Sequence, residues 1–334
     1  MIKDLIAQLA NKKDLTDLQM QQVMREILSG HVDTADIVAF LTSLNDKGQT
    51  VAELTAAVNV MLKYVEPIVV DRPNILDTCG TGGDKKGSFN ISTITAFVAS
   101  GAGVTVAKHG NRSVSSKCGS ADILEALGVN INMDREKIKK CLQEIGIAFL
   151  FAPNLHPAMR FVLPARKQIA QKTIFNILGP LINPARATNQ LIGVYSKEWA
   201  LPLAQVLYNL GSKHILVVHG SDGLDEITTT GKTYVVEMNN GVLKEYDISP
   251  QEFGLKTSSP EDLLGGSVAD NVNIAQEVLA GKSGPRRDIV LFNAAGAIYA
   301  ADKAKTISEG LILAKESIDS AQALKKLQLL KEYS

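Results

Sequence analysis

The sequence predicts an α/β protein in two parts: a small all-helical N-terminal domain and a larger α/β domain with a mostly parallel central sheet covered by helices. Two observations carry that expectation. Residues 1 to about 65 place apolar side chains at helical spacing, with no strand signal between them. From Asn74 onward, short β-branched runs alternate with helical segments. Strands separated by helices pair in parallel and leave both sheet faces to be covered.

The helical part is marked by its starts and stops. Thr16-Asp17-Leu18-Gln19 fits a capping box and Gly30 closes the helix it opens; Thr50-Val51-Ala52-Glu53 opens another in the same way. Between them, Ile37, Val38, Phe40, Leu41 and Leu44 form one apolar stripe. Asp71-Arg72-Pro73 is the exit. The predicted strands are Ile75–Thr78, Val104–Ala107, Asn130–Asn132, Gln190–Tyr195 and His214–His219. Helices over Ser92–Ser100, Ser120–Leu127, Arg135–Ile145 and Glu198–Leu210 fill the gaps. Lys232–Glu237 and Val242–Tyr246, joined at Asn239-Asn240-Gly241, read as an appended hairpin. A last helix, Ala321–Lys331, offers Leu324, Leu327 and Leu330 for packing. Pro157, Pro164, Pro180 and Pro184 break the stretch between 157 and 188 into short pieces, and part of it is expected to return to the helical domain. The expected division is therefore 1–71, joined by part of 157–188, and 72–334.

Composition narrows the function. The 334 residues balance 35 Lys and Arg against 35 Asp and Glu, so no general field for nucleic acid or a membrane surface exists, and any anion site is local. The three cysteines, Cys79, Cys118 and Cys141, show no CxxC spacing, which fits reduced thiols better than a disulfide framework or a zinc site. Met1-Ile2-Lys3-Asp4-Leu5 does not resemble a signal peptide, and no apolar run is long enough to span a bilayer. A cytoplasmic protein is expected.

Two donor-rich segments suggest a phosphorylated substrate. The run from Lys108 through His109, Gly110, Asn111, Arg112, Ser113, Val114, Ser115, Ser116 and Lys117 to Ser120 buries too little apolar area to offset its ordering entropy. What it offers is hydrogen-bond donors for an anion with many oxygens. Asp77-Thr78-Cys79-Gly80-Thr81-Gly82-Gly83-Asp84 is the second; its glycines permit positive φ and a close approach of backbone N–H groups. Asn90-Ile91-Ser92-Thr93 then opens a helix, where Asn90 or Ser92 can cap and free N–H groups can meet phosphate. The loop is neither a Walker A motif, since Ser88 follows Gly87, nor a dinucleotide fingerprint, since Lys85 stands where the third glycine belongs. Asp225-Glu226, after the strand His214–His219, suits Mg²⁺ held by carboxylates and substrate phosphates; the plain alternative is a helix N-cap with a first-turn acid. His109 could touch substrate, and His156, before Pro157, could cap or orient Arg160 or Arg166, whereas His214 and His219 read as structural.

These motifs, with Cys118-Gly119-Ser120-Ala121-Asp122, Gly179-Pro180-Leu181 and Gly223-Leu224-Asp225-Glu226, resemble those of the anthranilate phosphoribosyltransferases, in order along almost the whole chain. The resemblance implies transfer of the phosphoribosyl group of phosphoribosyl pyrophosphate (PRPP) to the amine of anthranilate in tryptophan biosynthesis, by a homodimer built through the helical domain. It implies that Gly80, Gly83, Asp84, Ser88, Asn90, Ile91, Ser92, Thr93, Lys108, the segment from His109 through Ser116, and Ser120 hold PRPP. Ser92, Asp225 and Glu226 would serve Mg²⁺. Gly80, Asn111 and Arg166 would contact anthranilate, with His109 a further candidate; no residue is assigned as general base. Two rivals share the scaffold. A pyrimidine nucleoside phosphorylase needs no acidic metal pair, so Asp225-Glu226 argues against it. A catalytically silent nucleic-acid-binding relative would show a basic surface, which the balanced charge does not support.

Overall fold

The computed structural model describes residues 1–113 and 117–334. It opens with a bundle of α1 (Ile2–Ala10), α2 (Asp17–Leu28), α3 (Thr34–Lys47) and α4 (Val51–Met61). Both capping boxes form: Thr16 pairs reciprocally with Gln19 and Thr50 with Glu53, satisfying N–H groups that have no partner within the helix. Glu53 does more than cap. Fully buried, its carboxylate also accepts from the Leu15 N–H at 2.9 Å and from Lys47 Nζ at 2.8 Å. Gly30, with φ at +79°, closes α2 where a side chain would strike the Phe161 ring.

Among the described residues seven strands follow: β1 (Leu76–Asp77), β2 (Val106–Gly110), β3 (Ile147–Phe151), β4 (Asn189–Gly193), β5 (His214–Gly220), β6 (Thr233–Asn239) and β7 (Val242–Ile248). They lie in the order β3-β2-β1-β4-β5-β6-β7, parallel from β3 to β5 and antiparallel from there outward. The hairpin turns at Asn240 and Gly241, both with positive φ, as a two-residue turn between twisted strands requires. The connecting helices are α5 (Ile91–Gly101), α6 (Ser120–Ala126), α7 (Arg135–Lys140), α8 (Ala152–Leu155), α9 (Leu163–Gln168) and α10 (Ala200–Asn209). Four more close the chain: α11 (Val268–Leu279), α12 (Pro285–Ala300), α13 (Ile307–Asp319) and α14 (Gln322–Tyr333).

Side-chain alternation along the strands assigns each sheet face to a different core. Leu191, Leu216, Val218 and Val235 pack with α5 and the C-terminal helices. Ile192, Ile215, Val217, Val236 and Met238 pack with α10, the N-terminal bundle, and Val162, Ala165, Ile174, Phe175 and Leu178.

Two strand expectations are corrected. Asn130–Asn132 is a turn: its Asn130 side chain accepts from the Asn132 N–H, and the Asn130 N–H donates to Ser334 Oγ, which replaces ladder pairing with local side-chain bonds. The edge is taken instead by β3, a run read as no strand at all. Pairing with β3 carries β2 on to Gly110, so Lys108 and His109 are strand residues and not the start of a loop.

Candidate active site

The glycine loop leaves β1 and folds back on the end of β4. Thr81 N–H donates to the Gly193 carbonyl at 2.9 Å, and the Tyr195 N–H donates to Thr81 Oγ1 at 3.1 Å. Gly82 and Gly83 both have positive φ, the arrangement that turns successive N–H groups toward an anion. Beneath the loop, Asp77 is fully buried. Its carboxylate accepts from the His109 N–H at 3.1 Å and from Asn183 Nδ2 at 2.7 Å. Burial pushes this carboxyl up to about 6, with Lys108 and Asn183 pulling the other way.

Lys108 is buried on β2 and aims its ammonium into the space between loop and helix. Nζ donates to Thr78 Oγ1 at 3.3 Å and to Ser92 Oγ at 3.2 Å. Ser92 stands in the first turn of α5, its backbone close enough to the Glu226 carboxylate to work against the effect of burial there. Asn90 stands at the N-cap of α5, as expected of it or Ser92, but its side chain makes no cap bond. The Asn90 amide instead spans Asn271 Oδ1, at 3.1 Å, and the Cys118 carbonyl, at 3.3 Å. Ile91 and Thr93 turn their side chains into the core, so only their backbone faces an anion at the helix start. Ser88 sits on an isolated bridge to Leu264 that holds the far end of the glycine loop.

Asp225 and Glu226 start no helix; they lie in an irregular segment after β5, which removes the capping alternative. Asp84 joins them, its Oδ2 accepting from the Asp225 N–H at 3.4 Å. Burial, reinforced by Asp84, raises the Asp225 carboxyl, and burial with Asp225 beside it raises that of Glu226. Three crowded carboxyls and the Ser92 hydroxyl, all oxygen donors, fit a hard divalent cation. A separate trio, Asp77, Cys79 and His109, brings ligand atoms within 4.8 Å of one another. That trio is committed elsewhere: Asp77 is held as described, and both His109 nitrogens are engaged.

His109 Nδ1 lies 3.2 Å from the Gly179 carbonyl, and its Nε2 lies 3.1 Å from His156 Nε2. A carbonyl only accepts, so His109 carries its proton on Nδ1 and accepts at Nε2 a hydrogen bond from the Nε2–H of His156. Burial, with His156 adding to it, pushes His109 down to about 3, and burial pushes His156 down to about 4. Both rings are neutral at pH 7. His156 therefore orients His109, not Arg160 or Arg166 as expected.

The donor loop divides. Ser120 Oγ donates to the Asn111 carbonyl at 3.2 Å, and Gly110 has no room for a side chain beside it. The Arg112 guanidinium, expected on the phosphorylated substrate, is held by Asp122 and Glu125, each at 2.9 Å. The Ser113 N–H donates to Asp122 Oδ2 at 3.1 Å. Val114, Ser115 and Ser116 lie outside the described residues. Arg166, on α9, is half-buried over the Phe175 ring, and no acid pairs with it among the described residues.

Sequence reasoning missed Asp77, Asn183 and the place of Asp84 beside the acid pair. An acid directly after a glycine turn was the available signal for Asp84; nothing local marked Asn183, which reaches Asp77 from 106 positions away.

Residues 72–324 match the model of the glycosyl transferase family a/b domain, and residues 3–65 that of the glycosyl transferase family helical bundle domain. Together they define a glycosyl transferase of two domains. The anthranilate phosphoribosyltransferase of Symbiobacterium thermophilum is 48% identical over 333 residues, covering 100% of this chain and 98% of that protein. The crystal structure of the Thermus thermophilus enzyme of that name superposes with a TM-score of 0.93 at 40% identity, covering 98% of each chain. That from Saccharomyces cerevisiae, in complex with PRPP and Mg, gives 0.91 at 30% identity, covering 99% of this chain and 97% of that one. This chain belongs to the anthranilate phosphoribosyltransferase family.

Proposed function

We infer that the protein transfers the phosphoribosyl group of PRPP to the amine of anthranilate, giving N-(5-phosphoribosyl)anthranilate and pyrophosphate. The observation that carries this reading is the meeting of the glycine loop, Lys108, Ser92 and the acids Asp84, Asp225 and Glu226 at the carboxyl ends of β1, β2 and β5. Ligands of open α/β sheets bind at such strand ends. A phosphorolytic enzyme has no use for three acids there, and no observation favours a nucleic-acid-binding role.

Departure of pyrophosphate concentrates negative charge on the leaving group and leaves an oxocarbenium-like ribose. The N–H groups of the glycine turn other than that of Thr81, the start of α5 and the Lys108 ammonium supply fixed positive charge to that leaving group. Asp225, Glu226 and Ser92 would hold Mg²⁺, which when bound offsets pyrophosphate charge. Arg166 offers a planar fork that matches the anthranilate carboxylate. The arylamine attacks as the neutral base, so positioning outweighs proton removal. Neutral His109 and His156, with both His109 nitrogens in use, fit that division of labour. The same reading includes a homodimer and a cytoplasmic location; among the described residues no helix is long and apolar enough to cross a membrane. The test is loss of anthranilate fluorescence when PRPP is added with and without magnesium. A magnesium-dependent decay is expected, and a flat trace from folded protein overturns the reading.

A further inference from the structure

Lys172 lies between α9, which carries Arg166, and the buried turn beginning at Thr173. Its half-buried side chain crosses to the glycine loop. Nζ donates to the Gly83 carbonyl at 3.0 Å and sits over the Tyr195 ring, 3.0 Å from the centroid. Glycine is needed at 83 for its backbone: a Cβ there would lie in ordinary contact with Nζ, at 3.4 Å, but the φ of +81° would strain any other residue. Tyr195 is itself bound to the loop through Thr81, which is bound to β4 through Gly193. One ammonium thus joins three segments: the glycine loop, the end of β4 and the chain that descends from Arg166. Asp84 and Asp225 attract it and Lys85 repels it, so its charge is set against the acid cluster. An ammonium over an aromatic face that also donates to a carbonyl is held more tightly than by either contact alone.

We propose that Lys172 is a positioning residue that clamps the Gly82–Gly83 turn to the Tyr195 ring, holding the loop in its anion-binding shape from the segment that also carries Arg166. The proposal deepens the phosphoribosyl-transfer reading and rests on it. Its test compares Lys172→Met, Lys172→Arg and Tyr195→Leu with the parent protein. Initial rates are taken with PRPP and anthranilate varied in turn at saturating magnesium, and amide hydrogen exchange is followed over residues 80–87. Lys172→Met is expected to raise the KM for PRPP about tenfold, with a smaller change in kcat. Exchange in 80–87 should accelerate while the rest of the sheet keeps its protection. Tyr195→Leu should move both readouts in the same direction, and Lys172→Arg should restore most of the loss.

Unchanged exchange in folded Lys172→Met overturns the clamp. Faster exchange with an unchanged KM for PRPP, or a defect that Arg does not rescue, reduces Lys172 to a structural contact and also overturns it. If Lys172→Met fails to fold, Lys172→Gln takes its place, keeping a donor for Gly83 and losing the charge over Tyr195. A parent protein that consumes no anthranilate would sink the transferase reading instead. Exchange over 80–87 with and without inorganic pyrophosphate then still decides whether Lys172 shapes an anion-binding loop.

Discussion

A Cβ placed on Gly193 would sit 1.5 Å from the carbonyl oxygen of Asp225. The end of β4 and the segment carrying the acid pair are therefore in backbone contact, and the acids are seated by a missing side chain. Gly193→Ala must displace one backbone from the other. Turnover is expected to fall about a hundredfold or more, because misplacing reacting groups by about an ångström has that effect. Steady-state rates with circular dichroism on the same samples check it; a folded variant of parental activity would refute the seating.

Asp225→Asn and Glu226→Gln keep the shape of the acid cluster and remove charge. Each should lower kcat by about a hundredfold and weaken the magnesium dependence of PRPP binding. A magnesium titration of PRPP affinity by calorimetry decides the matter, and two superimposable titrations would take the metal away from these residues.

Arg166→Ala removes a guanidinium that has no acid partner among the described residues. The KM for anthranilate should rise about tenfold or more while that for PRPP changes little, with Arg166→Lys intermediate. If the PRPP constant moves instead, Arg166 belongs to the phosphate side.

Glu53→Ala takes one of two carboxylates from the Lys47 ammonium, whose side chain is 3% exposed and which keeps Asp14 at 2.6 Å, and it leaves the Leu15 N–H without its acceptor. Stability should drop by about 2 kcal/mol, from the lost cap together with a buried N–H left unsatisfied. Urea unfolding measures it; a drop below about 0.5 kcal/mol would show that the Leu15 N–H finds another acceptor at little cost.

His214 has Asp302 Oδ1 at 2.8 Å from Nδ1 and Glu237 Oε1 at 3.2 Å from Nε2. Burial works against the imidazolium, but the two carboxylates outweigh it and raise the pKa. For Glu237, burial is likewise outweighed, by His214, Tyr299 and Tyr246, and its carboxyl falls to about 2. The stability from His214 is complete below the ordinary imidazole value and drains away as pH rises through its higher folded value. That from Glu237 is present above the ordinary carboxyl value and is lost as pH falls toward 2. Tm followed from pH 5 to 9 should decline on the alkaline side, and His214→Gln should flatten that decline.

The fold was legible wherever local chemistry and long-range pairing agreed. Thr16 and Thr50 announced their helices because a capping box is complete within four residues. The hairpin announced itself through Asn240 and Gly241. The alternation Val129, Asn130, Ile131, Asn132, Met133 misled: its apolar members are buried, yet the asparagines satisfy the backbone locally. Failing to see β3 also shortened β2, and so placed Lys108 and His109 in a loop when they are 4% and 3% exposed. In the site, the glycines, Ser92 and the acid pair were readable as residue types suited to an anion and its cation. Asn183, His156 and Lys172 were not, because each acts on a partner far away in the chain.

The two faces of the sheet answer to different cores, and this has a bearing on synthesis. Helices α1 to α4 are synthesised before the sheet, yet their apolar surface is completed by Phe175, Leu178, Ile215, Val217 and Val236. The bundle must wait, with that surface uncovered, until β6 has been made. During that interval the uncovered apolar surface is open to association with other apolar surfaces.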